Sequence, residues 1–162
     1  MFSIWAEPAT KDAKYLFQII CKLGKKYHSH TFNPHITMYS GIRSVSDAKL
    51  AIQNCKNMGK FTVMATGLDF SDSLWKTVFV NVEKNQRLEQ IHDTVKENIR
   101  QSTQYRFNPH ISLIYKKMSN SEKQEIIDGL RIKQKFTFDK IAVITSSRNV
   151  EKWEVIDRVV LK

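Results

Sequence analysis

The sequence predicts an α+β protein made of two similar halves, with two antiparallel sheets, outer helices and a central cleft. Two observations lead to this prediction. The hexapeptide FNPHIT at 32–37 recurs as FNPHIS at 107–112, separated by nearly half the chain. Helical and strand patterns alternate around both copies in the order β-α-β-α-β-β-α-β-α-β-β. Because each half then repeats a helix, a motif strand, a helix and two strands, we expect a pseudo-two-fold axis through the cleft.

In the first half of the chain, the spacing of apolar residues predicts most of the helices and strands. A buried stripe that includes Leu16, Ile20 and Gly24 predicts a helix over 10–27. Ser46 is a suitable N-cap for the second helix. The elements predicted here are a strand at 2–6, the helix at 10–27, a strand at 33–40, a helix at 46–57, and strands at 61–66 and 75–82.

The second half repeats this pattern after a helix predicted over 84–102, whose stripe contains Leu88, Ile91 and Val95. Ser119 and Glu122 have the spacing of a capping box and open a short helix that stops at Gly129. The strands predicted here span 107–115, 135–145 and 153–161, with a loop at 146–149. No linker separates the halves, so we expect one domain over 1–162.

Composition narrows the class of protein. The chain has 162 residues, 41% hydrophobic and 26% charged, which is typical of a globular domain. Its net charge of +10 favours anionic partners such as nucleotides or RNA. Cys21 and Cys55 fall at apolar helix positions, which favours free thiols in a reducing compartment. No signal peptide and no membrane helix of about 20 apolar residues is found, so we expect a cytoplasmic monomer without a membrane partner.

Each motif copy places a histidine and a hydroxyl on one face of a strand. Side chains alternate along a strand, so His35 shares its face with Thr37, and His110 shares its face with Ser112. The isoleucine between each pair points the opposite way, into the core. A single His-x-Thr is more often structural, but two copies within matching hexapeptides favour a functional pair.

Paired histidines and hydroxyls suit phosphate chemistry. With a reference pKa of about 6.5, one imidazole can take a proton from water while the other gives a proton to a leaving alkoxide. The two hydroxyls can donate hydrogen bonds to phosphoryl oxygens. This set needs neither a metal nor another cofactor. His28 and His30 precede the first motif, but their spacing matches no common zinc pattern, so we expect them in an exposed loop.

On these residues the chain resembles the two-histidine phosphoesterase superfamily, defined by two His-apolar-Thr/Ser motifs. Within it the chain is most similar to the cyclic phosphodiesterase group, through its opening FSIWAEP, the segment PHISLIY at 109–115 and WEV at 153–155. The resemblance implies metal-free opening of ribose cyclic phosphates. The substrates would be nucleoside 2′,3′-cyclic phosphates, giving 2′-phosphates, or ADP-ribose 1″,2″-cyclic phosphate.

The resemblance also implies roles for particular residues. His35 and His110 would be the general acid and base, and Thr37 and Ser112 would bind phosphate. Tyr115 matches a tyrosine that lines the substrate pocket, although strand alternation places it opposite His110. Tyr39 shares the strand face of His35 and is an alternative residue for the pocket wall. Trp5 could either stack on a base or fill the core.

Three functions remain open from the sequence. The first is an enzyme for small cyclic nucleotides. The second is an enzyme of the same superfamily for longer substrates, such as RNA ends or 2′-5′ oligonucleotides. The third is a module that binds phosphate without catalysis.

Overall fold

The computed structural model describes residues 1–162 and contains four α-helices and seven β-strands in the predicted order. The strands are β1 (Phe2–Pro8), β2 (Ile36–Ile42), β3 (Phe61–Phe70), β4 (Val78–Val82), β5 (His110–Ile114), β6 (Lys135–Thr145) and β7 (Val155–Val160). The helices are α1 (Thr10–Tyr27), α2 (Val45–Cys55), α3 (Gln86–Glu97) and α4 (Asn120–Gly129), with 3₁₀ turns at Leu74–Lys76 and Val150–Lys152. None of the helices has the length and apolar character needed to span a membrane.

Capping residues explain where two of the helices begin. The capping box of Ser119 and Glu122 is present at the start of α4, as predicted. The predicted N-cap of α2 is wrong by two residues, because the Ser44 hydroxyl, not that of Ser46, accepts the Asp47 N–H at 3.1 Å. Helix α3 is shorter than the predicted 84–102 and ends at Glu97.

The strands form an antiparallel sheet in the order β2-β1-β6-β3-β4-β5, and β7 pairs with β6. The α+β prediction is therefore confirmed. The two antiparallel sheets expected from the sequence are present as two parts of one continuous sheet, joined through β3, which belongs to both parts. Its residues 61–64 pair with β6, and its residues 65–70 pair with β4.

The two halves of the chain exchange strands within this sheet. The motif strand β2 and its neighbour β1 come from the first half, but β1 pairs with β6 from the second half. The motif strand β5 comes from the second half, but it pairs with β4 from the first half. The symmetry axis expected from the sequence remains a prediction.

The two motif strands approach each other although they are at opposite ends of the strand order. Residues of β2 and β5 are in contact, so the sheet curves until its ends meet. Helix α1 packs mainly on β5, α4 packs on β3 and β4, and α2 packs on β1, β6 and β7. Ile36 and Ile111 are fully buried in the shared core, as their position in the motif predicts. This packing leaves the other face of each motif strand available to a cleft.

Candidate active site

Both motif histidines are oriented by the same backbone hydrogen bond. His35 lies immediately before β2, and His110 is the first residue of β5. In each, Nδ1 lies 2.7 Å from the carbonyl oxygen of the asparagine two residues earlier, Asn33 or Asn108. A neutral imidazole that donates its Nδ1–H to this carbonyl carries its lone pair on Nε2. The repeated Asn-Pro-His sequence thus prepares two rings with the same tautomer.

The two histidines line one cavity of about 460 Å³. Thr37 and Ser112 also line it, so all four motif side chains surround the same space. The lining contains two arginines but no carboxylate, which suits an anionic ligand. The other lining residues are Met1, Ser3, Trp5, Ser40, Trp75, Tyr105, Arg106, Asn108, Tyr115, Thr145, Ser146, Ser147, Arg148 and Trp153.

Aromatic side chains enclose His35. Its ring stacks on Trp5 with centroids 3.5 Å apart and planes 3° apart, and Trp153 lies edge-on at 6.3 Å. The residue is only 6% exposed. Burial lowers the pKa of His35 to about 3, and the nearby His110 acts in the same direction. The imidazole is therefore neutral at physiological pH in the free protein.

His110 has a more open and more cationic environment. Phe79 meets its ring edge-on at 5.4 Å, and Lys76 lies over the Phe79 ring at 4.3 Å. The pKa of His110 is lowered by burial first and by the positive charge of Lys76 second. The hydrogen bond to the Asn108 carbonyl acts in the opposite direction by stabilising the protonated ring.

The two hydroxyl residues differ in their contacts. The Ser112 hydroxyl is buried and donates to the Trp75 carbonyl at 3.1 Å. The backbone carbonyl of Thr37 accepts the Tyr105 hydroxyl at 2.7 Å, which ties the loop before β5 to the motif strand β2. Ser112 must turn away from Trp75 before it can donate to a ligand.

Tyr115 lines the cavity, although strand alternation placed it on the opposite face from His110. Strand β5 ends at Ile114, so Tyr115 follows the strand and is released from its alternation. Its ring stacks on Phe32 with centroids 4.0 Å apart and an angle of 22°. Phe32, the first residue of the motif, therefore supports Tyr115 in the wall of the cavity.

Tyr39 does not line this cavity, contrary to the face assigned to it from the sequence. The reason is a register shift, since Thr37 is opposite Trp5 whereas Tyr39 is opposite Ile4. Two residues of β2 thus match one residue of β1, and such a bulge interrupts the alternation of side chains. Tyr39 is buried beside Tyr105 and lines a different cavity.

Several lining residues were not candidates from the sequence. Trp75 was assigned to a strand, but it belongs to the 3₁₀ turn before β4. Tyr105 and Arg106 lie in the segment before β5, and Arg148 and Trp153 lie between β6 and β7. Arginines and large aromatic residues in the loops next to the motif strands are the signal that could have identified them.

The remaining histidine pair lies outside this cavity. His28 and His30 are exposed, as expected, and His30 Nδ1 lies 3.2 Å from Glu151 Oε1. No group of three or more His, Cys, Asp or Glu side chains is arranged to hold a metal ion.

An α+β fold in which two His-apolar-hydroxyl strands face one cavity defines a two-histidine phosphoesterase. A family model described as cyclic phosphodiesterase-like protein matches residues 1–161. The chain therefore belongs to the cyclic phosphodiesterase-like family and is a phosphodiesterase.

Known proteins resemble the chain over almost its whole length. A cyclic phosphodiesterase of Arabidopsis thaliana is 20% identical over 171 residues, covering 96% of this chain and 92% of that protein. LigT of E. coli, solved with 3′-AMP, is 13% identical with a TM-score of 0.64, covering 99% of this chain and 97% of LigT. TT0787 of Thermus thermophilus is 13% identical with a TM-score of 0.65, at 99% and 97% coverage. The two structures establish the shared fold.

Proposed function

We propose that this phosphodiesterase hydrolyses cyclic phosphates on ribose by metal-independent general acid–base catalysis. The substrates are nucleoside 2′,3′-cyclic phosphates, opened to 2′-phosphates, or ADP-ribose 1″,2″-cyclic phosphate, opened to the 1″-phosphate. The observation that carries this proposal is the presence of both oriented imidazoles and both motif hydroxyls around one cavity.

The different surroundings of the two rings support a division of roles. His35, buried and neutral, is the general base: its Nε2 takes a proton from water as the water oxygen bonds to phosphorus. His110, which is more open, is the general acid: its Nε2 gives a proton to the ribose oxygen as the phosphorus–oxygen bond breaks. The bound phosphate anion favours the imidazolium form that this step needs.

The remaining groups hold the phosphate and the nucleoside. Thr37 and Ser112 donate hydrogen bonds to the non-bridging phosphoryl oxygens as charge accumulates there. Tyr115 forms one wall of the pocket, and Trp5 holds His35 by stacking on its face. A nucleoside base has apolar ring surface available at Trp75, which is 38% exposed and 5.7 Å from Trp153. LigT has been solved with 3′-AMP, ATP and NADP⁺, which supports a nucleotide as the ligand here.

A substrate panel followed by phosphorus NMR tests this proposal. We expect a 2′,3′-cyclic nucleotide to be opened to its 2′-phosphate in the presence of EDTA. The variants His35→Ala and His110→Ala should each lower turnover at least about 10²-fold. His28→Ala is the matched control and should retain full activity, because that exposed side chain lies outside the cavity.

Two outcomes would contradict the proposal. A small effect of either motif substitution on turnover would indicate phosphate binding without catalysis. Loss of activity in EDTA that zinc restores would contradict the metal-independent mechanism.

A further inference from the structure

A second cavity, of about 660 Å³, adjoins the active site. The two cavities share Tyr105 and Arg106, which lie between α3 and β5 and line both spaces. The volume is within the range of about 300–1,000 Å³ that is usual for small-molecule sites. None of the proposed catalytic or phosphate-binding residues lines it, so the active-site chemistry does not account for it.

The lining of the second cavity is cationic. Lys96, Arg100 and Arg106 contribute positive charge, and no aspartate or glutamate is among the lining residues. The Arg100 side chain is 86% exposed, and its nearest carboxylate, Asp47, is 3.8 Å away. The Asp47 side chain is only 11% exposed, and at this distance it leaves most of the five N–H donors of the exposed arginine unused. This composition favours an anionic ligand with more than one charged group.

The same cavity offers aromatic surface. His92 and Phe107 stack with ring centroids 4.1 Å apart and planes 3° apart, and both are half-buried. His92 Nδ1 lies 2.8 Å from the Met38 carbonyl oxygen, which holds the pair against β2. Flat, preorganised rings beside cations are the usual platform for a nucleic-acid base and its phosphate.

We infer that the second cavity is a subsite for another nucleotide, joined by a phosphodiester to the ribose that carries the cyclic phosphate. The favoured substrate is then a short oligonucleotide ending in a cyclic phosphate. Arg106, at the boundary of the two cavities, binds the linking phosphate. Lys96 and Arg100 bind the next phosphate, and the second base packs on the His92–Phe107 pair. This inference rests on the proposed function, whose substrate it specifies.

The test compares two substrates in two charge-matched variants. The substrates are a mononucleotide 2′,3′-cyclic phosphate and a trinucleotide with the same end. The variant Lys96→Gln/Arg100→Gln removes two charges from the second cavity. Lys22→Gln/Lys25→Gln removes two exposed charges from α1 and is the control.

We expect the natural protein to prefer the trinucleotide, with a kcat/KM at least about tenfold higher, since phosphate contacts dominate nucleic-acid affinity. The cavity variant should lose most of this ratio, and the control should keep it. The slope of log affinity against log salt concentration should fall by about 1.4 in the cavity variant, at about 0.7 per phosphate contact on a single strand. Equal kcat/KM for both substrates, or equal behaviour of the two variants, would overturn the inference.

A binding measurement separates this inference from the proposed function. Fluorescence anisotropy with a labelled trinucleotide ending in a 2′-phosphate requires no turnover. Weaker binding by the cavity variant than by the control supports the subsite even if no cyclic phosphate is hydrolysed. Equal binding by both variants overturns it, whether or not the hydrolysis is observed.

Discussion

The two copies of the motif hold their histidines by the same backbone bond but surround them differently. His35 is enclosed by Trp5 and Trp153, whereas His110 touches the edge of Phe79 and is influenced by Lys76. The shared hexapeptide therefore determines the orientation and tautomer of both rings. The neighbouring elements, β1 and the turn before β4, determine how readily each ring takes a proton.

The difference between the two surroundings fits the division of roles that we propose for the two histidines. General acid–base catalysis needs one proton acceptor and one proton donor, although the two motif copies are nearly identical. Differences in burial and nearby charge shift the two pKa values separately, so the asymmetry arises outside the motif. The following predictions test it, from the largest effect to the smallest.

The largest effect should distinguish the base from the acid. We expect His35→Asn and His110→Asn each to reduce kcat at least about 10²-fold on an ordinary cyclic phosphate. An analogue whose leaving ribose oxygen is replaced by sulfur needs little protonation, because the reference pKa of a thiol is only about 8.5. With this analogue, His110→Asn should recover most of its rate relative to the natural protein, and His35→Asn should not. Recovery in His35→Asn alone would reverse the two roles.

Removing the hydroxyl of Thr37 or Ser112 should lower activity, and removing that of Ser112 should also lower stability. Thr37→Val and Ser112→Ala should each lower kcat by about 10²-fold, the usual cost of losing one donor to developing negative charge. Thr37→Ser, which keeps the hydroxyl, should restore activity to within a few-fold. Ser112→Ala should also reduce stability, because it leaves the Trp75 carbonyl without its hydrogen bond. Steady-state kinetics and urea denaturation measure the two effects.

The buried His35 should make stability depend on pH. Its pKa is lowered to about 3 by burial, so the unfolded chain takes up a proton at higher pH than the folded protein does. The contribution of the neutral His35 to the free energy of unfolding is complete above about pH 6.5. It is lost as the pH falls toward 3, by at most about 1.4 kcal/mol per pH unit. His35→Asn should show a shallower decline in unfolding free energy between pH 6.5 and 4. Parallel curves for the two proteins would show that His35 is protonated without cost.

The smallest effect concerns the charge near His110. Removing Lys76 should raise the pKa of His110, because the lysine charge lowers it. The acid form then persists to higher pH, so the alkaline limb of the kcat/KM profile should move to higher pH in Lys76→Met. Lys14→Met, on the exposed surface of α1, should leave the profile unchanged.

Much of the fold could be predicted because its patterns are local. The apolar stripe of α1 and the capping box at Ser119 depend only on neighbouring residues, and both elements begin where they were predicted. The errors occur where distant residues decide the structure. Trp75 joins a turn and not a strand, and the bulge after Thr37 depends on the partner strand β1. Neither feature has a signature within its own segment.

The motif residues could be identified because the chain repeats them. Histidine and hydroxyl at alternate positions, twice, require no knowledge of the tertiary structure. Arg106, Arg148 and Trp153 enter the cavity from loops whose paths depend on the packing of both halves. Tyr115 was assigned by family resemblance and is accounted for by the end of β5 at Ile114. Sequence repetition therefore revealed the proposed catalytic groups, and the structure revealed their surroundings.

The exchange of strands between the two halves has a consequence for how the protein can be divided. A cut in the loop at 71–73 separates β3 from β4 and leaves β1 and β3 on one fragment and their partner β6 on the other. Neither fragment retains a complete set of hydrogen-bonded neighbours, so neither can exist as a folded miniature of the whole. Two such pieces, expressed together, would form an obligate complementation pair in which hydrolysis reports their reassembly.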